Sequence, residues 1–315
     1  MLKKAVMAGL TMVLAAGLLA GCGGGKNQTA PNQGQGGGSA AKGYVPKELK
    51  VQFVPSQNAE TLEAKAKPLE KLLGDKLGIP VKVSVSTTYN TIIEAMASKQ
   101  VDVGFLPPTA YVLAKEKGAA EVILQAQRLG VNPDGSSSSD LVDFYRAMVV
   151  VKAGSPIKEL KDLKGKKVAV QDVTSSAGYV WPAVELKKAG VDPEKDIQAV
   201  KVKGHDKGIL AVLNGDADAA FVFEDARNTV KKDKPDVFEK VSVLHRTDKI
   251  PNDTISVRSD MDKEWISKIQ KAFIEIGKDP AGKGIIKDIY THEGYVESSD
   301  KNFDIVREYS KQVGK

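Results

Sequence analysis

The chain has 315 residues, 42% hydrophobic and 27% charged, with a formal net charge of +6 and a single cysteine. This length supports one large or two modest lobes, each with its own core. The charges are interspersed, which argues against nucleic-acid binding, and one cysteine excludes an internal disulfide framework.

Met1-Leu2-Lys3-Lys4 is a basic start, Ala5–Ala20 is apolar or small, and Leu19-Ala20-Gly21-Cys22 matches a lipobox. Residues 1–22 therefore read as a lipoprotein signal peptide. The apolar run is short for a membrane span and lacks a stop-transfer flank. An ordinary signal peptide with an incidental cysteine is the alternative. A covalent lipid on Cys22, tethering the protein to the outside of the cell membrane, better explains a lone cysteine in an exported chain. Residues 23–45, rich in Gly, Gln, Asn and Ser, read as a flexible tether.

Leu49–Val54 alternates like a strand. Asn58 opens an amphipathic segment to Leu77, which Pro68 kinks or restarts. Val81–Val85 is a second strand, Thr87–Asn90 opens a helix carrying Ile92, Ile93 and Met96, and Val101–Leu106 is a third strand. Pro107-Pro108-Thr109 starts the helix after it. Strand and helix alternating at this spacing predict a mainly parallel sheet, with ligands beyond the carboxyl ends of its strands. Asn132–Asp140 reads as a polar loop and Phe144–Val151 as a buried strand. A second unit follows: strands at Lys167–Val170, Val200–Val202 and Ala217–Phe223, a helix at Ile209–Leu213, then strands at Val241–Leu244 and Thr254–Val257. Asp262–Gln312 is helical in pattern.

Val173–Pro182, with Thr174, Ser175, Ser176 and Gly178, sits where the Lys167–Val170 strand turns into a helix. Free N–H groups, the macrodipole and uncharged hydroxyl donors make this a ready anion site. Thr174 or Ser175 acting only as an N-cap is the other reading of the same residues. Gly277–Lys283 matches the first part of a phosphate-binding loop, but Gly284 stands where Ser or Thr is needed and a helix precedes it. No metal-ligand spacing is present, so neither a metal nor a cofactor is expected.

Several short motifs occur in a specific order along the chain. They are Val54–Glu60, Thr88-Tyr89-Asn90 with Ile93–Met96, Val101–Pro108, Ser175–Tyr179, Gly204-His205 and Ile250–Asp253. In this the chain resembles the phosphate/phosphite/phosphonate-binding proteins of ABC transporters, from about Leu49 to Tyr309. The resemblance implies an α/β, two-lobed type 2 periplasmic-binding fold. Each lobe would be a mixed, mainly parallel sheet flanked by helices, and two crossover strands would join the lobes. Lobe one would be residues 46–143 plus 250–315, and lobe two residues 148–246. The implied ligand set is Tyr89, Tyr145, Ser175, Ser176, His205, Asp225 and Asp253, with Thr109 and Ala177 as further candidates. Ala177 stands where relatives often carry another hydroxyl, and the Pro107-Pro108-Thr109 loop also departs from the commoner pattern.

The implied function is non-catalytic: an extracytoplasmic receptor captures a phosphorus oxyanion and delivers it to an ABC permease. His205 would give a charge-assisted bond to the anion. Asp225 and Asp253, if unpaired, would repel a bare oxyanion, which favours an aminoalkylphosphonate such as 2-aminoethylphosphonate. Phosphite, phosphate, a sulfonate or a thiamine precursor are alternatives on the same fold. From another class, an anchored esterase would use Ser175 with His205, although no Gly-x-Ser-x-Gly elbow surrounds that serine.

Overall fold

The computed structural model describes residues 43–314. The leader, Cys22 and the tether up to residue 42 lie outside the described residues. In order, the chain forms β1 (Leu49–Phe53), α1 (Ala59–Ala66), α2 (Pro68–Leu77), β2 (Val81–Val85), α3 (Tyr89–Ala97), β3 (Val103–Leu106) and α4 (Pro108–Glu116). It continues through β4 (Ala120–Val131), β5 (Ser137–Val142), β6 (Phe144–Lys152), β7 (Lys167–Val170), α5 (Trp181–Lys188), β8 (Gln198–Lys201), α6 (His205–Asn214) and β9 (Ala219–Phe223). The last elements are α7 (Val237–Lys240), β10 (Val241–Pro251), β11 (Thr254–Arg258), α8 (Lys263–Lys278), α9 (Pro280–Tyr290), β12 (Gly294–Glu297) and α10 (Asp304–Gln312).

The described residues form two sheets. The first has the order β12-β4-β11-β3-β1-β2, with β5 paired to β4 alone; the second runs β10-β6-β9-β7-β8. Pairing is parallel where helices intervene, as in β1 with β2 and β3, and β7 with β8 and β9. It is antiparallel where the chain crosses between lobes, as in β10 with β6 and β11 with β3 and β4. The crossings run side by side: Ile250 faces Tyr145 in register, and Asn252 N–H donates to Asp143 O at 2.8 Å. Tyr145 and Asp253 thus stand at the two points where the backbone passes from lobe to lobe.

Local chemistry explains most boundaries. Asn58 and Thr88 cap α1 and α3 by accepting from Thr61 N and Thr91 N. Pro68 ends α1 and sits in the first turn of α2, where a missing N–H costs nothing. Phe105 on β3 stacks on Phe53 at 4.2 Å and meets Phe273, Tyr290 and Tyr295 edge-on, which locks the first sheet to the helices behind it. At the far end of the chain, Tyr309 of α10 stacks on the fully buried Trp181 of α5 at 4.4 Å. That contact joins the C-terminal helix to the second lobe.

Three strands depart from the sequence reading. β4 has no counterpart in it. β5 occupies part of the expected Asn132–Asp140 loop, and β12 interrupts the helical tail. β5, with sequence SSSDLV and mostly exposed side chains, carries no apolar face and is a strand only because β4 offers an edge.

Candidate functional site

The parallel strands of both lobes end on one cavity of about 320 Å³. Helix starts surround it: Tyr89 is the first residue of α3, Pro107 caps α4, Ser175 caps the turn leading to α5, and His205 is the first residue of α6. Tyr145, Ala177, Asp225 and Asp253 complete the expected residues that line it.

Ser175 is an N-cap after all: its Oγ accepts from Gly178 N–H at 3.1 Å. A cap uses a lone pair and leaves the hydroxyl hydrogen free, so the cap and anion-donor readings coexist. Ser176 and Thr109 do not line the cavity. The Ser176 hydroxyl, fully buried, accepts from Thr109 N–H at 3.0 Å and pairs with Thr109 Oγ1 at 2.8 Å, tying α4 of lobe one to lobe two. A second tie runs from His205 N–H to Ser56 O at 2.9 Å. Gly204 permits it, since with φ +101° any side chain there would press on the Gln57 backbone.

His205 Nδ1 accepts from Phe223 N–H at 3.1 Å, which places the ring proton on Nε2. Burial lowers its pKa to about 3. The ring is therefore neutral at physiological pH, and any charge assistance in a bond from its Nε2–H to an anion comes from the anion alone. Burial also raises the pKa of Tyr89, with the Ser175 hydroxyl opposing, and raises that of Tyr145, with the Asp253 charge adding to the effect. Both phenols are protonated donors.

Neither aspartate is unpaired, which overturns the premise of the aminoalkylphosphonate preference. Arg227 grips Asp225 with two bonds of 2.8 Å each. Arg128 Nη2 lies 3.1 Å from Asp253 Oδ2, and His292 Nε2 lies 3.4 Å from the same oxygen. Burial pushes the Asp253 pKa up, but the His292 bond and the Arg128 charge outweigh it, so the carboxyl stays ionised. Burial holds His292 neutral, and Tyr295 OH sits 3.3 Å from its Nδ1. Arg128 also covers the Tyr145 ring, and its buried Nε has no partner among the described residues.

Sequence reasoning missed the two partners of Asp253: Arg128, which lines the cavity, and His292, which does not. The one available signal was an arginine inside the otherwise apolar and amide-bearing Val122–Leu129 run, since a buried cation demands a partner.

Two α/β lobes, two adjacent crossings and a cavity between helix starts of both lobes define a solute receptor of the type 2 periplasmic-binding fold. Residues 51–303 match the family profile described as ABC transporter, phosphonate, periplasmic substrate-binding protein, and the chain belongs to that family. It is thus an extracytoplasmic substrate-binding component of a transporter, not an enzyme, and the esterase reading of Ser175 is set aside. The chain is 29% identical over 246 residues to the phosphate-import protein PhnD of Mycolicibacterium smegmatis, covering 75% of this chain and 74% of that one. It is 24% identical over 245 residues to the phosphonates-binding periplasmic protein of Escherichia coli, covering 76% and 70%. The fold is shared with PhnD1 of Prochlorococcus marinus, solved in complex with methylphosphonate, at a TM-score of 0.73 and 19% identity over 86% of this chain and 100% of that one.

The neutral state of His205 has a consequence for stability. Its folded pKa lies below the unfolded one, so between about 6.5 and 3 the unfolded chain binds the extra proton and stability rises with pH. The stabilisation is complete above the unfolded pKa and is lost as pH falls towards the folded one. Denaturant unfolding at several pH values in this window is expected to show a shallower pH dependence for His205→Gln than for the wild type. Equal slopes would mean that the buried ring is not held neutral.

Proposed function

We propose that the chain captures a small phosphorus oxyanion that retains one proton, a phosphonate, phosphite or phosphate, between its lobes and passes it to its permease. The observation that carries this reading is the convergence of the Tyr89, Pro107, Ser175 and His205 helix starts on one cavity. Tyr89, Tyr145, Ser175 and His205 offer neutral donors to the oxyanion. Asp253, held ionised, accepts the remaining proton of the ligand. Sulfate and sulfonates have no such proton near neutral pH and would face the carboxylate with like charge. Because Asp225 and Asp253 already carry guanidinium partners, the ligand needs no ammonium; 2-aminoethylphosphonate belongs to the class without being privileged in it. The cavity, equal to roughly ten waters, has room for a substituent on phosphorus.

Calorimetric titration is expected to give saturable binding of methylphosphonate, phosphite or phosphate and none of sulfate or ethanesulfonate. 2-Aminoethylphosphonate and ethylphosphonate should bind within about tenfold of each other. Tighter binding of sulfate than of every phosphorus ligand would overturn the reading.

Tyr89→Phe removes one hydroxyl whose hydrogen bond within the protein is a long 3.5 Å contact to Gln171. A hydrogen bond to a charged group contributes about 1.5–3 kcal/mol, so affinity should fall roughly 10- to 150-fold. The ligand-free melting temperature should change little. Unaltered affinity would remove Tyr89 from the site.

We also propose that Cys22 carries the lipid that holds the protein at the membrane, supported by the lipobox and by the absence of any other cysteine in the chain. Cys22→Ser is expected to release the protein from the membrane fraction or leave the precursor uncleaved. Normal processing with unchanged membrane retention would exclude the anchor.

A further inference from the structure

The hairpin of β4 and β5 belongs to the sheet of lobe one, yet its tip is bound by lobe two. The turn is internally satisfied. Gly135 N–H bonds to Asn132 O at 2.9 Å, Asn132 N–H bonds to Ser136 O at 2.8 Å, and Asp134 accepts from both the N–H and the hydroxyl of Ser136. Asn-Pro-Asp-Gly is the sequence of a type I turn closed by a left-handed glycine, and Gly135 has φ +85°.

Lobe two provides a seat for this tip. Asn228 Nδ2 donates to Gly135 O at 3.2 Å, and Arg246 Nη2 donates to Pro133 O at 3.2 Å. Gly135 is buried so closely that a Cβ would collide with Asp225 Oδ2 and the Phe238 ring. Arg227 makes this possible: it neutralises Asp225 through two bonds and lies 4.3 Å over the same Phe238 ring. Asp225 is thus the floor on which the hairpin rests.

Just behind the tip, Val131 and Ser137 are cross-strand partners and share one face, and both line the cavity together with Asn228 and Thr229 of lobe two. These four side chains are uncharged and belong to none of the four helix starts. A ligand with an anionic pole and an uncharged or weakly polar pole has a distinct wall for each. We propose that the β4–β5 hairpin is the specificity wall of the cleft. The oxyanion lies at the helix starts, and the group bonded to phosphorus lies against Val131 and Ser137, so the hairpin sets the size of that group. This rests on the phosphorus-oxyanion reading above.

The test is calorimetric titration of phosphite, methylphosphonate and propylphosphonate into wild type, Val131→Phe and Val131→Ala. Val131→Phe should weaken propylphosphonate by about tenfold or more, the scale of forcing volume into a packed space, while phosphite stays within about threefold. Val131→Ala only removes atoms, so it keeps the test decisive if the larger side chain prevents folding; it should shift preference towards propylphosphonate. A wild type that binds phosphorus oxyanions, with variants that change all three affinities equally or not at all, overturns this proposal alone. A wild type that binds none of the three overturns the oxyanion reading and this proposal with it.

Discussion

A helix that begins where a parallel strand ends leaves its first amide groups without partners inside the helix. Here α3, α4, α6 and the turn before α5 all begin on the same cavity between the lobes. The protein supplies some of the missing acceptors itself: Thr88 Oγ1 for Thr91, Ser175 Oγ for Gly178, Ser176 Oγ for Thr109 and Ser56 O for His205. The last two come from the opposite lobe. The demand for acceptors that suits an anion is therefore also what draws the two lobes together, and binding and closure share one physical origin.

That origin is dipolar rather than ionic. Arg128 answers Asp253, Arg227 answers Asp225, Arg246 lies 3.2 Å from Glu224, and Lys287 lies 2.7 Å from Glu293. His205 is neutral and the phenols keep their protons. With these four carboxylates paired, that part of the wall discriminates by where hydrogens and lone pairs point. A net charge of +6 for the whole chain consequently says little about the ligand. It also means that removing one member of a buried pair would leave the other uncompensated, a larger disturbance than the pair's own net contribution.

What was legible in the sequence follows from locality. Period-two alternation in Leu49–Phe53 and Val81–Val85, the Asn58 and Thr88 caps and the Pro68 break are short-range signals, and each corresponds to an element. β5 was opaque because its polar residues become a strand only through an edge supplied elsewhere. The charge partners were opaque for a similar reason: Arg128 and Asp253 are 125 positions apart, and no spacing rule joins them. Ser176 shows a subtler limit. Ser175 O accepts from both Tyr179 and Val180 N–H, at 3.1 Å each, so Ser176–Val180 is a wide i→i+5 turn. Side chains there follow a different angular step from an α-helix, and Ser176 turns to Thr109 rather than to the cavity. Composition alone could not separate it from Ser175.

Among the described residues the direct ties between the lobes at the cleft are few: Ser176 to Thr109, Ser56 to His205, the long bond from Tyr89 to Gln171, and the hairpin tip to Asn228 and Arg246. An internal hydrogen bond contributes only about 0.5–1.5 kcal/mol net, because the open state bonds to water instead. Moving a two-state equilibrium from mostly open to mostly closed takes about 5.5 kcal/mol of differential affinity. A handful of such bonds thus falls within the range that a single ligand can tip. The groups that decide the ligand's share are the ones the protein leaves unmet. Bonds such as Ser176 to Thr109 are satisfied by closure alone and favour the closed form with or without ligand. The buried Arg128 Nε has no acceptor among the described residues, and the Ser175 oxygen keeps its own hydrogen after capping Gly178. Under the proposed oxyanion reading, a ligand acceptor that reached either donor in the closed form alone would shift the equilibrium towards closure.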